Sequence, residues 1–238
     1  MGSGRLASGT PWGILRAADF FFIEQKVDYM EAMTGFEEAN TYHVYDKNGD
    51  KCFQVEESSN VCLRQCLKSK RPFNLNVKHG ANAKRVLRIS REYRCLFDEV
   101  KVYDCRDSKD DEGGDDESGL LGTVVQNFKF FTRSFSVLDR NGNEMLQINT
   151  PSIFSPHTFV ITTADGGACG EIKKKWSGFG QEMFTDADNF GFSFMKDLSE
   201  STKALLLSAV FLIDFMYFED NEPTRRRRRG GMGGGFSF

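Results

Sequence analysis

The chain has 238 residues, enough for one large domain or two small ones with a full hydrophobic core. Its 39% hydrophobic content is that of a globular protein, and a net charge of −3 excludes a generally basic nucleic-acid binder. Three isolated histidines (His43, His79, His157), no nucleophile motif and no phosphate-cradling glycine loop leave nothing on which to build an enzyme.

In chain order, residues 1–13 are Gly/Ser-rich and read as a disordered N-terminus. The opening "MGSGRL" misses the myristoylation pattern, because Leu6 stands where Ser or Thr is required. It carries no signal-peptide pattern either, so six scattered cysteines (52, 62, 66, 95, 105, 169) are expected reduced on a cytosolic face. Cys62 and Cys66 lack a second Cys/His pair at zinc-ligand spacing. The stretch "ILRAADFFFIEQKVDYMEAMTG" places Phe20, Ile23, Val27 and Met30 at helical spacing, with Gly35 as a C-cap. A helix on the domain edge is the expectation there.

Strand patterns follow. "YHVYDKNGDKCFQVEE" (42–57) alternates around Asn48-Gly49, a strong hairpin signal. The unit recurs: "VYDKNGDKCFQV" (44–55) aligns without a gap with "VLDRNGNEMLQI" (137–148). A looser echo pairs "GTVVQNF" (122–128) with "GEIKKKW" (170–176). Further strand pairs are read in 73–89 and 157–172, and the acidic stretch "DSKDDEGGDDES" (107–118) is a solvated loop between strands. Many short strands and an internal duplication predict a mainly β fold, closed into an antiparallel barrel within one domain over residues 14–220. Residues 221–238 form an Arg/Gly-rich tail.

From Ala204 to Phe218 only Asp214 is charged. Such a helix covers about 22 Å, against a hydrocarbon core near 30 Å. The arginines Arg225, Arg226, Arg227, Arg228 and Arg229 follow it, whereas Lys203 alone guards its start, so a single crossing would part the C-terminus from the unsignalled bulk. A helix apolar all round suits a barrel interior. Asp197-x-x-Glu200 has capping-box spacing at its start.

Just before it, counting from Asp186 gives D-A-D-N-F-G-F-S-F-M-K-D, with acidic residues at positions 1, 3 and 12 and Gly at 6, as in an EF-hand loop. Position 5 is Phe190 and position 12 is Asp197 rather than a bidentate Glu. The competing reading makes Phe190, Phe192 and Phe194 a strand with one buried face and Asp197 a helix cap.

"FTDADNFGFSF…D" followed by "KALLLSAVFLIDFMYFE" resembles the C-terminal signature of the phospholipid scramblases. "MTGFEEANTYHV" (33–44), "RPFNLNV" (71–77) and "GEIKKKWSGF" (170–179) match family blocks too, and the likeness runs from about Ile14 to Glu219. That family is similar to the tubby-like and LURP-related proteins, so the resemblance implies a closed antiparallel tubby-like barrel around a central hydrophobic helix. It also implies calcium-activated, ATP-independent, bidirectional movement of phospholipids between leaflets. Carried over, the calcium ligands are Asp186, Asp188, Phe190, Phe192, Phe194 and Asp197. A basic segment read by lipid or nuclear import factors falls on Lys173, Lys174, Lys175 and Trp176, joined by the Arg225–Arg229 run. The acyl-accepting cysteines of the family reduce here to Cys95 and Cys105. Implied with these are anionic phospholipid partners, a calcium-driven oligomer, and residence on the cytosolic face of the plasma membrane or in the nucleus. The alternative within the same resemblance is a tubby-like module that binds anionic lipid and signals without transport.

Overall fold

The protein is described by a computed structural model over residues 6–26, 39–67, 70–106, 119–174 and 189–218. Among these, twelve strands form one closed antiparallel barrel. They are β1 (Phe20–Lys26), β2 (Thr41–Tyr45), β3 (Lys51–Ser58), β4 (Phe73–His79), β5 (Lys84–Arg91) and β6 (Glu99–Asp104), then β7 (Leu120–Asn127), β8 (Ser134–Asp139), β9 (Glu144–Asn149), β10 (Thr158–Thr163), β11 (Ala168–Lys174) and β12 (Asn189–Phe194). Each pairs with the next in sequence, and β12 returns to β1, with Phe21 opposite Phe192. Closure leaves no unpaired edge.

Period-two alternation builds the wall. In β4, Phe73, Leu75 and Val77 are buried while Asn74, Asn76 and Lys78 lie on the other face. Apolar side chains thus fill the inside and polar ones cover the outside, the reverse of a lipid-spanning barrel.

The duplicated sequence is a duplicated hairpin. Asp46 accepts backbone N–H bonds from Asn48 and Asp50, at 2.8 and 2.9 Å. Asp139 accepts the same pair from Asn141 and Asn143 at 2.8 and 2.9 Å. Gly49 and Gly142 follow with φ of 82° and 84°, a left-handed conformation that glycine adopts freely. Both hairpins also carry a register shift at equivalent positions, Val44/Tyr45 and Val137/Leu138. The two hairpins, β2–β3 and β8–β9, are offset by six strand positions, half of the barrel. The looser echo does not obey this symmetry: Gly122 and Gly170 sit in β7 and β11. What they share is a bulge, where a Cβ would collide with the carbonyl oxygens of Leu138 and Ser193.

Among the described residues three helices complete the fold: α1 (Pro11–Ala17), α2 (Val61–Leu67) and α3 (Glu200–Tyr217). α3 threads the barrel, and every residue from Thr202 to Phe215 is buried. No helix among the described residues is long and apolar enough to cross a membrane. Connections after odd-numbered strands lie at one mouth of the barrel, where α3 ends, and this is called the C-mouth. Connections after even-numbered strands lie at the N-mouth, where α3 begins.

Three expectations are corrected. Residues 20–26 form a strand, not a helix, because Phe20-Phe21-Phe22-Ile23 is an aromatic and β-branched run whose burial alternates poorly at either period. Of the rest of that expected helix, residues 14–17 are helical, as the end of α1 defined above, and 27–35 lie outside the described residues. Residues 6–13 are structured: Leu6 bridges to Lys51, and Thr10 caps α1 by accepting from the Gly13 N–H at 3.1 Å. The N-cap of α3 is Ser199, whose hydroxyl accepts from the Thr202 N–H at 3.2 Å, and not Asp197, which stays exposed in the turn before it.

Candidate functional site

The proposed calcium segment is divided by the fold. Phe190, Phe192 and Phe194 all point into the barrel, and Phe192 and Phe194 pack 5.7 and 5.8 Å from Phe21. β12 is paired on both sides, to β1 and β11, so its backbone carbonyls serve the wall. Asp197 lies beyond the other end of the strand, at the N-mouth. A six-residue strand spans about 20 Å, far outside one coordination sphere. The three Phe residues and Asp197 therefore do not fit as joint ligands. Asp186 and Asp188 lie outside the described residues; they precede Asn189, which opens β12 at the C-mouth. Among the described residues no three His, Cys, Asp or Glu groups cluster as a metal site.

The basic segment divides as well. Lys173 is half-exposed and pairs with Glu171 at 2.5 Å on the outer face. Lys174 turns inward: its ammonium lies 3.6 Å from Asp214 and over the rings of Phe190 (5.2 Å) and Phe218 (4.6 Å). It is not available to an outside partner. Lys175, Trp176 and Arg225 to Arg229 lie outside the described residues. Cys105 is buried and its thiol pushed up by that burial, which withdraws it from acylation, whereas Cys95 is exposed in the β5–β6 connection of the C-mouth.

Sequence reasoning missed the belt of buried charge just inside this mouth. Glu57 receives two bonds from Arg71, at 2.8 and 3.0 Å, in the bidentate geometry that a guanidinium suits. Burial alone would raise the Glu57 carboxyl, but the Arg71 bonds and charge outweigh it and hold it below the carboxylate range. Arg91 and Lys70 meet Asp98 at 2.6 and 3.1 Å. Asp214, in the last turn of α3, accepts from the Tyr42 hydroxyl at 3.0 Å besides facing Lys174. Arg133 lies 3.9 Å over the Tyr217 ring, and His157 stacks on Phe218. Arg91 and Asp98 are seven residues apart and Glu57 and Arg71 fourteen, each pair flanking a strand connection, whereas Asp214 meets Tyr42 from 172 residues away; none of these spacings is a helical or strand period that would announce an ion pair.

Outside the belt the same mouth is apolar. Eleven large hydrophobic residues are exposed among the described residues. Leu6 and Met195 stand at the N-mouth; the other nine, from Leu63 to Phe154, stand at the C-mouth. The sequence signal was available in "FKFFTR" (128–133), an aromatic run placed in a turn rather than a strand. These rings edge a cavity of about 400 Å³ lined by Leu96, Phe97, Phe128, Phe131, Arg133 and Tyr217 among others.

The model of the scramblase family matches residues 3–220. The chain belongs to the scramblase family. Phospholipid scramblase 2 of Homo sapiens is 31% identical over 218 residues, covering 86% of this chain and 69% of the relative. Phospholipid scramblase 1 of Rattus norvegicus is 30% identical over 246 residues, 91% of this chain and 70% of the relative. The human phospholipid scramblase 1 is 30% identical over 248 residues, 93% and 74% of the two chains. Among solved structures, an Arabidopsis thaliana protein overlaps 87% of this chain and 98% of its own, at 11% identity and a TM-score of 0.48. The architecture of this scramblase-family chain rests on its own strand pairing, a closed twelve-strand barrel around a C-terminal helix.

Proposed function

We propose that this chain acts on phospholipids at a membrane and moves them between leaflets, in both directions, without ATP and in response to calcium. The observation that carries this is family membership over residues 3–220, with relatives named phospholipid scramblases spanning most of the chain. It is a transporter rather than an enzyme in this reading, and its site of action is the cytosolic face of the plasma membrane. In this reading calcium dependence rests on the Asp186 and Asp188 pair alone, because the inward-facing Phe side chains of β12 and Asp197 at the opposite mouth are too far apart to share one ion with them. Arg225–Arg229 supply attraction to anionic headgroups, about 1 kcal/mol per residue near the surface. Cys95 is the acylation site left accessible, Lys175 and Trp176 are the remnant of an import signal, and calcium drives association of copies.

The full chain reconstituted in liposomes with a leaflet-specific fluorescent lipid tests the reading. Exchange that rises with calcium supports it; no exchange at any calcium concentration sinks it. A second reading has its own observation. Because α3 fills the barrel from mouth to mouth, no described element is left over to breach the bilayer, which favours an anionic-lipid-binding module that signals without transport. Vesicle binding without exchange would select it.

A further inference from the structure

We propose that the C-mouth is the membrane-docking face, with Phe130, Phe131 and Phe154 entering the boundary between headgroups and acyl chains of a phospholipid bilayer. The proposal rests on the phospholipid reading above and deepens it by naming the surface. Phe130, Phe131 and Phe154 are 83%, 80% and 88% exposed, values a folded protein rarely tolerates for neighbouring aromatics without a use. They sit on the β7–β8 and β9–β10 connections, and Leu96 and Phe97 on β5–β6 continue the same arc, because β5 to β10 are consecutive staves of the barrel.

The rings of the arc touch one another in a chain. Phe97 lies 6.2 Å from Phe128, Phe128 lies 4.9 Å from Phe130, and Phe130 lies 6.4 Å from Phe131. Behind it, Arg133 packs on Tyr217 and donates to the Pro156 carbonyl at 3.0 Å, tying both connections to the end of α3.

Charge commits the occupant. The two connections that carry the three rings, Phe128–Arg133 and Thr150–His157, contain no carboxylate and present the exposed Lys129, with Arg133 held behind them, although the whole chain is net acidic at −3; the carboxylates of the arc, Glu92 and Asp98, lie on β5–β6. Cations set among protruding aromatics are how interfacial anchors meet anionic headgroups while their rings enter the acyl boundary. A protein partner would instead favour a flat apolar centre depleted of charge and ringed by polar groups.

The test is flotation of the full chain with vesicles of phosphatidylcholine, with and without phosphatidylserine, comparing wild type with Phe130→Ser/Phe131→Ser/Phe154→Ser and with Lys129→Gln. The triple variant should melt as the wild type does, since all three rings are outside the core. Its partition onto both vesicle types should fall at least about tenfold. Lys129→Gln should lower binding several-fold on the anionic vesicles only. A well-folded triple variant that floats as the wild type does overturns this docking face while leaving the phospholipid reading intact. If the triple variant alters only self-association in sedimentation, the face belongs to a second copy and the proposal is again overturned. Wild-type chain that floats with neither vesicle overturns both.

Discussion

The Lys174 ammonium stands 3.6 Å from a carboxylate oxygen of Asp214, with 7% and 4% of the two side chains exposed. The pair joins the barrel wall to the last turn of α3, where a carboxylate opposes the helix dipole and needs a cation. Removing one partner should be far worse than removing both. Lys174→Met should cost about 3–5 kcal/mol in denaturant unfolding, because it takes a cation from beside a buried carboxylate that also accepts from the Tyr42 hydroxyl. Lys174→Met combined with Asp214→Leu should recover most of that loss. Equal destabilisation by the single and double variants would mean that packing, not charge, governs this seam.

Capping and calcium are separable at the start of α3. Ser199→Ala removes the acceptor of the Thr202 N–H and should lower stability by about 1 kcal/mol. Asp197→Ala, an exposed turn residue, should stay within about 0.5 kcal/mol. In calorimetric titration Asp197→Ala should bind calcium as the wild type does, and Asp186→Ala/Asp188→Ala should not. Loss of binding in Asp197→Ala would return that residue to the ligand set.

His43 supplies a pH dependence of stability. Burial first, then the Lys51 and Lys26 charges, lower its pKa from 6.5 to about 4. Between these values the unfolded chain binds the proton and the folded chain does not. Stability should therefore be level above pH 6.5 from this group and decline as the pH falls towards 4. His43→Gln should flatten the melting temperature over that interval and leave the steeper loss below it, where Glu57 and other paired carboxylates protonate. An unchanged slope in His43→Gln would assign the interval to other groups.

What the sequence made legible was local. Asn48-Gly49 and Asn141-Gly142 fixed two hairpins, since a left-handed glycine after an Asx turn needs no distant partner. The run Ala204–Ile213, without a charge, announced an interior helix because burial on every side leaves no polar face. Phe20–Ile23 misled because four successive apolar residues satisfy a helical and a strand period alike, and the choice is made by β2 and β12 on either side. Asp197 and Ser199 are equally good caps by residue type; where the chain turns over the N-mouth decides between them. Glu57–Arg71 and Arg91–Asp98 form across the connections between neighbouring strands, where no periodic pattern marks a partner, and Lys174–Asp214 exists only because α3 lies inside the barrel.

The interior position of α3 makes the last prediction. Ser208 is fully buried at mid-helix and donates to the Ala204 carbonyl at 2.8 Å, so a small thiol fits in its place. In a chain whose exposed Cys62, Cys66 and Cys95 are replaced by Ser, Ser208→Cys should resist a water-soluble maleimide until the domain unfolds. The decisive arm uses bound vesicles carrying a lipid-phase thiol reagent. If the barrel docks as a closed body, α3 stays inside it and Cys at 208 remains unlabelled, because withdrawing the helix would expose the apolar lining of twelve strands. Labelling from the acyl phase, on the timescale of binding, would mean that the membrane pulls α3 out of the barrel. A transporter that keeps its helix in place must then move lipid along its outer surface or by disturbing the leaflet it sits on, and not through the barrel, which α3 occupies from Lys203 to Phe215.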